Sequence, residues 1–166
     1  MYETIMTGWI SVLKNIFPLD YTIIRSDALV GSGAIKPNGK FITLKLIAGP
    51  NDQTNDEMYF FPDNENFMRM RTAKNFTMSF NFYREDALDS INLFRFRLFD
   101  PEIVDLLKEN GKISVSSRGG VVDLSNMLET GYDRRYQIDI GFAVGMEYVT
   151  TIGWVEKVDA SMGNIN

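Results

Sequence analysis

The chain has 166 residues, a formal net charge of −5, and 45% apolar and 23% charged residues, which is typical of one globular domain. It contains no cysteine and no histidine. This excludes disulfides, thiolate catalysis, serine–histidine–aspartate triads and histidine-based zinc sites. The acidic balance argues against a dedicated nucleic-acid-binding protein, because such proteins need cationic surface to displace counterions from phosphates.

No stretch approaches the length of apolar sequence that a membrane span needs. The N-terminus carries Glu3 and no basic cluster before its apolar residues, so it does not resemble a signal peptide. We therefore expect synthesis in the cytosol and no contact with a membrane.

The first segment, residues 3–17, is predicted to form an amphipathic helix that ends at Pro18. Apolar residues recur in it at three- and four-residue steps: Ile5, Trp9, Val12, Leu13 and Ile16. A short strand at 21–25 and a glycine-containing loop at 26–40 follow.

The middle of the chain is rich in strand patterns. Residues 41–47 alternate as a strand does, and the polar run 49–56 is predicted to be an exposed loop. Further strands are predicted at 57–61, with a break at residues 62–64, and then at 67–71 and 75–83.

Two helices are predicted next. Glu85, Asp86 and Asp89 favour the N-terminal end of the first. Asp100-Pro101 is typical of a new N-cap, and Asn110-Gly111 of a C-terminal cap. A strand at 113–116 and a short segment of helical character at 121–128 follow.

The last third contains a strand at 135–145 and a second strand at 150–158. Large apolar side chains share one face of the first strand, namely Tyr136, Ile138, Ile140, Phe142 and Val144. The other face carries Gln137, Asp139, Gly141, Ala143 and Gly145, so another surface could approach it closely. The pattern favours packing and assembly over chemistry. Trp9 and Trp154 lie on apolar faces and are predicted to be core.

Strands without regularly alternating helices predict an α+β fold. We expect one domain over residues 1–166, with a largely antiparallel β-sheet flanked on one face by the N-terminal helix and the central helix pair. Residues 159–166 are predicted to form a flexible tail.

Carboxylates are the remaining acid–base candidates: Asp20, Asp27, Glu57, Asp86, Asp123, Asp133 and Asp139. Two of them could run glycoside hydrolysis, but no spacing signature supports that, and roles in turns and caps are favoured. Arg134 and Arg135 beside Asp133 have two open interpretations. They make charge-assisted contacts to an acidic partner, or they are solvated residues at a strand end.

Several segments together resemble the tail terminator (neck) proteins of tailed bacteriophages, in particular those of contractile tails. The segments are the helix ending at Pro18 and residues 37–44, 71–80, 121–125 and 132–140. The loops at 26–39 and 51–57 match no family pattern.

The resemblance implies a hexameric ring that caps the tail tube, ends tail growth and gives the head connector a docking face. The implied partners are other copies of the chain, the tail tube protein and the head connector or neck proteins, with the sheath protein as a further candidate. It implies a virion component assembled in the host cytoplasm, with no catalysis, cofactor or metal. Genomic DNA would pass the acidic lumen without specific binding.

We hypothesise that a subunit or tube contact uses the charged turn, the small face of strand 135–145 and the polar loop. Its residues are Asp133, Arg134, Arg135, Gln137, Asp139, Asp52 and Asp56. Two alternatives stay open: another head–tail joining protein of the head-completion or stopper type, and a small carboxylate-dependent hydrolase.

Overall fold

A computed structural model describes the backbone of residues 1–26, 37–52, 59–63, 67–128 and 131–151. Within these ranges it describes all side chains except those of residues 51–71, 127–132, 148, 150 and 151. The predicted core position of Trp154 and the predicted tail at 159–166 lie outside the described residues.

The described residues form three helices and nine strands. The helices are α1 (Tyr2–Ile16), α2 (Ala87–Arg97) and α3 (Pro101–Gly111). The strands are β1 (Thr22–Arg25), β2 (Phe41–Asp52), β3 (Tyr59–Asp63), β4 (Phe67–Tyr83), β5 (Ile113–Arg118), β6 (Val122–Asp123), β7 (Asn126–Leu128), β8 (Gly131–Asp133) and β9 (Arg135–Thr151).

Strands β4 and β9 form the centre of the sheet. They pair antiparallel without a register shift, from Phe67 opposite Thr151 to Tyr83 opposite Arg135. The main strand order is β1-β2-β4-β9-β5, with β3 also on β4, β6 also on β9, and β7–β8 as a separate pair. Only β1, beside β2, is parallel within the described sheet. The predicted α+β fold with a largely antiparallel sheet is confirmed.

All three helices bury side chains in one core, on one face of the sheet. Trp9 of α1 is fully buried. Its ring centroid lies 5.0 Å from that of Phe80 on β4 and 5.4 Å from that of Phe142 on β9, both edge-on. Edge-to-face pairs of this kind add to the gain from burying the rings. The predicted inward face of β9 is confirmed, since Ile138, Ile140, Phe142 and Val144 are buried, and Tyr136 packs against them.

The helix boundaries follow the predictions, but their caps differ. The Asp100 side chain makes no capping hydrogen bond and instead pairs with Arg97. The left-handed residue that ends α3 is Lys112, with φ 52°, one position after the predicted glycine. Gly111 is needed for another reason, because a Cβ there would lie 2.5 Å from Cδ1 of Ile113.

Four strand predictions were wrong in extent. Strand β2 continues through Asp52 where a loop was predicted from residue 49, β3 continues through Pro62 and Asp63, and β4 has no break between 71 and 75. Strand β9 likewise continues to Thr151, so position 150 does not begin a separate strand. Pairing with a neighbouring strand keeps each segment extended, although its local sequence is typical of a turn.

The segment 121–128 was predicted to have helical character, and this was wrong. It forms β6 and β7, with Val122 opposite Gln137 on β9 and Asn126 opposite Asp133 on β8. Its two short apolar runs fit either type of element, and tertiary pairing decides between them.

We predict that Gly49→Ala destabilises the protein by roughly 1–3 kcal/mol from the backbone conformation alone. Gly49 has φ +114°, and a Cβ there would lie 2.7 Å from the carbonyl oxygen of Asn75. Gly145→Ala on β9 is the matched control, because a Cβ at that position meets nothing within 4 Å. Urea unfolding of both variants checks this. Equal stabilities would contradict it.

Candidate functional site

The face of the sheet opposite the helical core carries mostly polar side chains, and we call it the polar face. It is built in rows across β2, β4 and β9: Phe41, Tyr83 and Arg135; Thr43, Asn81 and Gln137; Lys45, Ser79 and Asp139. Side chains directly opposite each other in an antiparallel pair point to the same side, so each row is contiguous. Within the described chain, no helix contributes a buried side chain to this face.

Arg135 is held inside the subunit. Its Nε and Nη2 donate hydrogen bonds to Oδ1 of Asn81 at 3.1 and 3.0 Å. Its guanidinium lies 5.5 Å from the ring centroid of Tyr83, which in turn stacks on Phe41 at 4.2 Å. The backbone N–H of Arg135 donates to Oγ of Ser125. Arg135 therefore connects two neighbouring rows of the polar face, through Tyr83 in its own row and Asn81 in the next.

Arg134 differs from its neighbour. Its side chain is exposed, and it makes no hydrogen bond or ion pair with the rest of the described chain. Its carbonyl oxygen accepts a hydrogen bond from the backbone N–H of Arg84 at 3.1 Å. The backbone at this position is thus fixed while the guanidinium stays in solvent.

Gln137 and Asp139 are both half-buried, and Nε2 of Gln137 donates to Oδ1 of Asp139 at 3.1 Å. Gly141, two residues further on, accommodates the chain's own β5. The register of β5 shifts between Val115 and Ser117, and a Cβ on Gly141 would lie 2.3 Å from Oγ of Ser117. The close approach expected at the small face is thus made at Gly141 by this chain itself, whereas Gly145 is open.

An open cleft of about 680 Å³ lies where β2, β4 and β9 begin or end. It is lined by Asn38, Gly39, Lys40, Arg84, Glu85, Asp86 and Arg134. Lys40, Arg84 and Arg134 each adjoin one residue of the row Phe41, Tyr83 and Arg135. The turn predicted before β9 was wrong, because Asp133 ends β8 and Arg135 begins β9. Arg134, between the two strands, lines this cleft of mixed charge.

Ion pairs within the chain neutralise much of this charge. Nζ of Lys40 lies 2.6 Å from Oδ2 of Asp86, which precedes α2. The hydrogen bond with Asp86 raises the pKa of Lys40, and the same bond lowers the pKa of Asp86. Nη1 of Arg84 lies 3.7 Å from Oδ1 of Asp133. Of the cations in this cleft, Arg134 is the one without an ion pair in the described chain, although its positive charge also helps to lower the pKa of Asp86.

The two predicted loop carboxylates lie elsewhere. Asp52 is the last residue of β2, opposite Lys74 of β4, and Asp56 lies outside the described residues. The structure therefore brings together Asp133, Arg134, Arg135, Gln137 and Asp139 at the polar face and its cleft, and it places Asp52 at a distant part of the same sheet.

The described carboxylates give little support to acid catalysis. Of those proposed, Asp86 lines the cleft, and its pKa is lowered. Hydrogen bonds from the hydroxyl and the backbone N–H of Ser125 also lower the pKa of Asp123. Both groups stay ionised at neutral pH, which does not suit a general acid. Asp27 and Glu57 lie outside the described residues.

The described part of the chain contains no group of three or more acidic side chains placed to hold a metal ion. None of its helices is long and apolar enough to cross a membrane.

Sequence reasoning missed Asn81, Tyr83, Arg84 and Lys40 as members of this site. Asn81 lies in a predicted strand, but a single strand pattern does not show which arginine on another strand it will bind. The sequence does show a charged residue at each of three strand ends, at positions 40, 84 and 134. These residues come together in one cleft only when the strands pair in the observed register.

We predict that Asp86→Asn destabilises the protein near neutral pH and has no such effect in acid. A lowered carboxyl pKa contributes stability above the ordinary Asp value of 3.8, and this is lost as the pH falls through the folded-state pKa. The pKa of Lys40 is raised from its ordinary value of 10.5, so the stability that the same pair contributes is also lost when the pH rises through the folded-state pKa of Lys40. Asparagine keeps the left-handed backbone that Asp86 adopts, with φ 58°.

Urea unfolding at a series of pH values measures this difference. Asp89→Asn is the control, since it removes a carboxylate from the first turn of the same helix. A pH-independent effect of Asp86→Asn would show that the Lys40 pair is not its cause.

We predict that Arg135→Ala costs about 1–2 kcal/mol of stability, because it removes two charge-assisted hydrogen bonds and leaves Asn81 without them. Arg134→Ala is expected to change stability by less than about 0.5 kcal/mol, as at an ordinary surface position. Chemical denaturation of the two variants checks this, and similar losses for both would contradict the assignment.

The comparisons with known proteins agree with the predicted resemblance. The family profile described as phage neck terminator protein matches residues 6–166. No curated protein matches the chain significantly. Since the match spans nearly the whole sequence, this protein belongs to the phage neck terminator protein family.

Proposed function

We propose that the protein forms a closed hexameric ring at the end of the tail tube, where it ends tail growth and gives the head connector a surface to dock on. Family membership assigns it a structural role at the phage neck, and the match over residues 6–166 is the observation that carries the proposal. Neck terminator proteins are structural components associated with the virion. The finer steps of ring closure, capping and docking are our inference from that role.

The charge and shape of the described surface support a role in assembly. The site combines a polar sheet face, on which Thr43, Ser79 and Asn81 are buried, with an open cleft of mixed charge, rather than an enclosed apolar pocket of the kind that binds small molecules. A ring built head to tail requires two different complementary patches on each subunit. The cleft wall at Arg134, with its exposed guanidinium, is one such patch, and it suits an acidic surface on a neighbouring subunit or the tube.

Arg135, Gln137 and Asp139 have a different place in this proposal. Their side chains form hydrogen bonds within the subunit, so they shape the polar face and fix the backbone next to Arg134. We assign the intermolecular contact to Arg134, and we assign to Arg135 the positioning of the backbone that carries Arg134.

The partners follow from this position in the particle. The ring would contact the tail tube protein on one side and the head connector or neck proteins on the other, with the sheath protein as a candidate on the outside. The chain's net charge of −5 suits a lumen through which DNA slides, because like charges repel. Assembly would take place in the host cytoplasm.

Light scattering of the purified chain tests ring formation. We expect a species with six times the mass of the chain, and a species of another closed stoichiometry would instead favour a stopper or head-completion protein. Arg134→Ala is expected to shift the equilibrium towards monomer at unchanged stability. Arg134→Lys, which keeps the charge but not the planar fork, should fall between the two.

Electron microscopy of lysates from phage lacking the protein tests the capping role. We expect overlong tails or tails without heads, because tube growth is not ended and the connector has no docking face. Normal virions would refute the proposed function.

A further inference from the structure

The central strand pair continues well beyond the helical core. The last described core residues along it are Phe76 on β4 and Val144 on β9. From Ala73 opposite Gly145 to Phe67 opposite Thr151, seven further residue pairs follow. At ~3.4 Å per residue this adds about 24 Å of strand. We call this part, together with β3, the ribbon.

Strand β3 occupies only one edge of the ribbon. It pairs with β4 from Tyr59 opposite Arg71 to Asp63 opposite Phe67, on the same edge of β4 as β2. On the other edge, β5 stops where Ile113 lies opposite Val144. In the part of the chain that the structure describes, no strand pairs with this edge of β9 beyond Val144.

The direction of the backbone groups on β9 can be assigned from three hydrogen bonds. The carbonyl oxygens of Arg135 and Asp139 accept from Leu124 and Gly119, and the N–H of Gly145 donates to the carbonyl oxygen of Lys112. Odd-numbered residues of β9 therefore point their N–H and C=O groups away from β4. Because directions alternate along a strand and the β4–β9 register has no shift, Val149 and Thr151 point theirs to the open edge.

The open edge has the character of a contact surface. Val149 is 55% exposed. A strand edge with free backbone groups binds another extended chain readily. Of the ribbon's described side chains, those of Ala73, Glu147 and Val149 are exposed and none is buried, so a partner strand would stabilise it.

We propose that the open edge of β9 at Val149–Thr151 pairs with an extended strand of a second copy of this chain. The contact rests on the proposed ring, and it adds a head-to-tail pairing of two strand edges to the contact proposed at Arg134. The strand that completes it is β5, whose outer edge has no pairing strand in the described residues.

The outer edge of β5 is suited to this pairing. Ser114 and Ser117 lie opposite the odd-numbered residues Ala143 and Gly141, so they face β9, and Val115 presents its N–H and C=O outward. The β5 sequence has exposed, uncharged serines at 114, 116 and 117, with no lysine or proline of the kind that protects sheet edges. One chain thus carries two different open edges, which join head to tail.

Val149→Pro tests the proposal, since proline removes one outward N–H without removing a hydrogen bond to β4. We expect association to weaken about tenfold or more, with an unchanged urea midpoint for the monomer. Val149→Ala, which keeps the N–H, should assemble as the unaltered chain does. Assembly of Val149→Pro at wild-type concentrations would overturn the proposal.

A photo-crosslinking amino acid at position 149 identifies the partner strand. Mixed samples of ¹⁴N- and ¹⁵N-labelled chains should give cross-linked peptides of mixed isotope that contain residues 113–118. Cross-links only within one chain would show that its own residues cover the edge, and cross-links to tube protein alone would show a different partner. Either result overturns the proposal.

The strand contact and the proposed function can be refuted separately. Normal rings and tails from Val149→Pro would refute the strand contact and leave the ring intact. Absence of any ring, together with normal virions when the protein is missing, would refute the proposed function itself.

Discussion

The structure depends on the uninterrupted antiparallel pairing of β4 and β9, each 17 residues long. Because side chains alternate along a strand, a single register assigns every residue of both strands to the core or to the polar face. A slip of β4 by one residue would turn Phe80 away from the helices and place Asn81 against them, and a slip of β9 would exchange Ile138 for Asp139 in the same way. The inward apolar rows of both strands make such a slip unfavourable.

The other elements take their places from this pair. Strands β2 and β3 follow one another along the outer edge of β4, and β5 and β6 do the same along β9. The helices cover the face where Trp9 meets Phe80 and Phe142. The strand ends bring Lys40, Arg84 and Arg134 together, so the cleft is a direct consequence of the register.

This arrangement suits a protein that works through its surfaces. The family has a structural role at the phage neck, and the described surface offers a cleft of mixed charge, an exposed arginine and a strand edge. Two neighbouring residues also differ in their surroundings: Arg135 is hydrogen-bonded within the subunit, while Arg134 is exposed.

The sequence by itself determined the α+β class, the core helices, the inward face of β9 and the cluster of charged residues at 133–135. These depend on local periodicity and on residue chemistry, which a single chain displays directly. It also drew attention to Arg134 and Arg135, but it could not distinguish them, because the difference lies in Asn81 and Tyr83 on another strand.

Only the tertiary structure decided how far the strands extend. Residues 49–52, 72–74 and 122–128 have weak or misleading local patterns, and they are extended because a neighbouring strand supplies their hydrogen bonds. The convergence of residues 40, 84 and 134 and the open edge at Val149 have the same origin. Both follow from pairings between segments distant in sequence, whose register is fixed by the packing of the whole core rather than by any local run of residues.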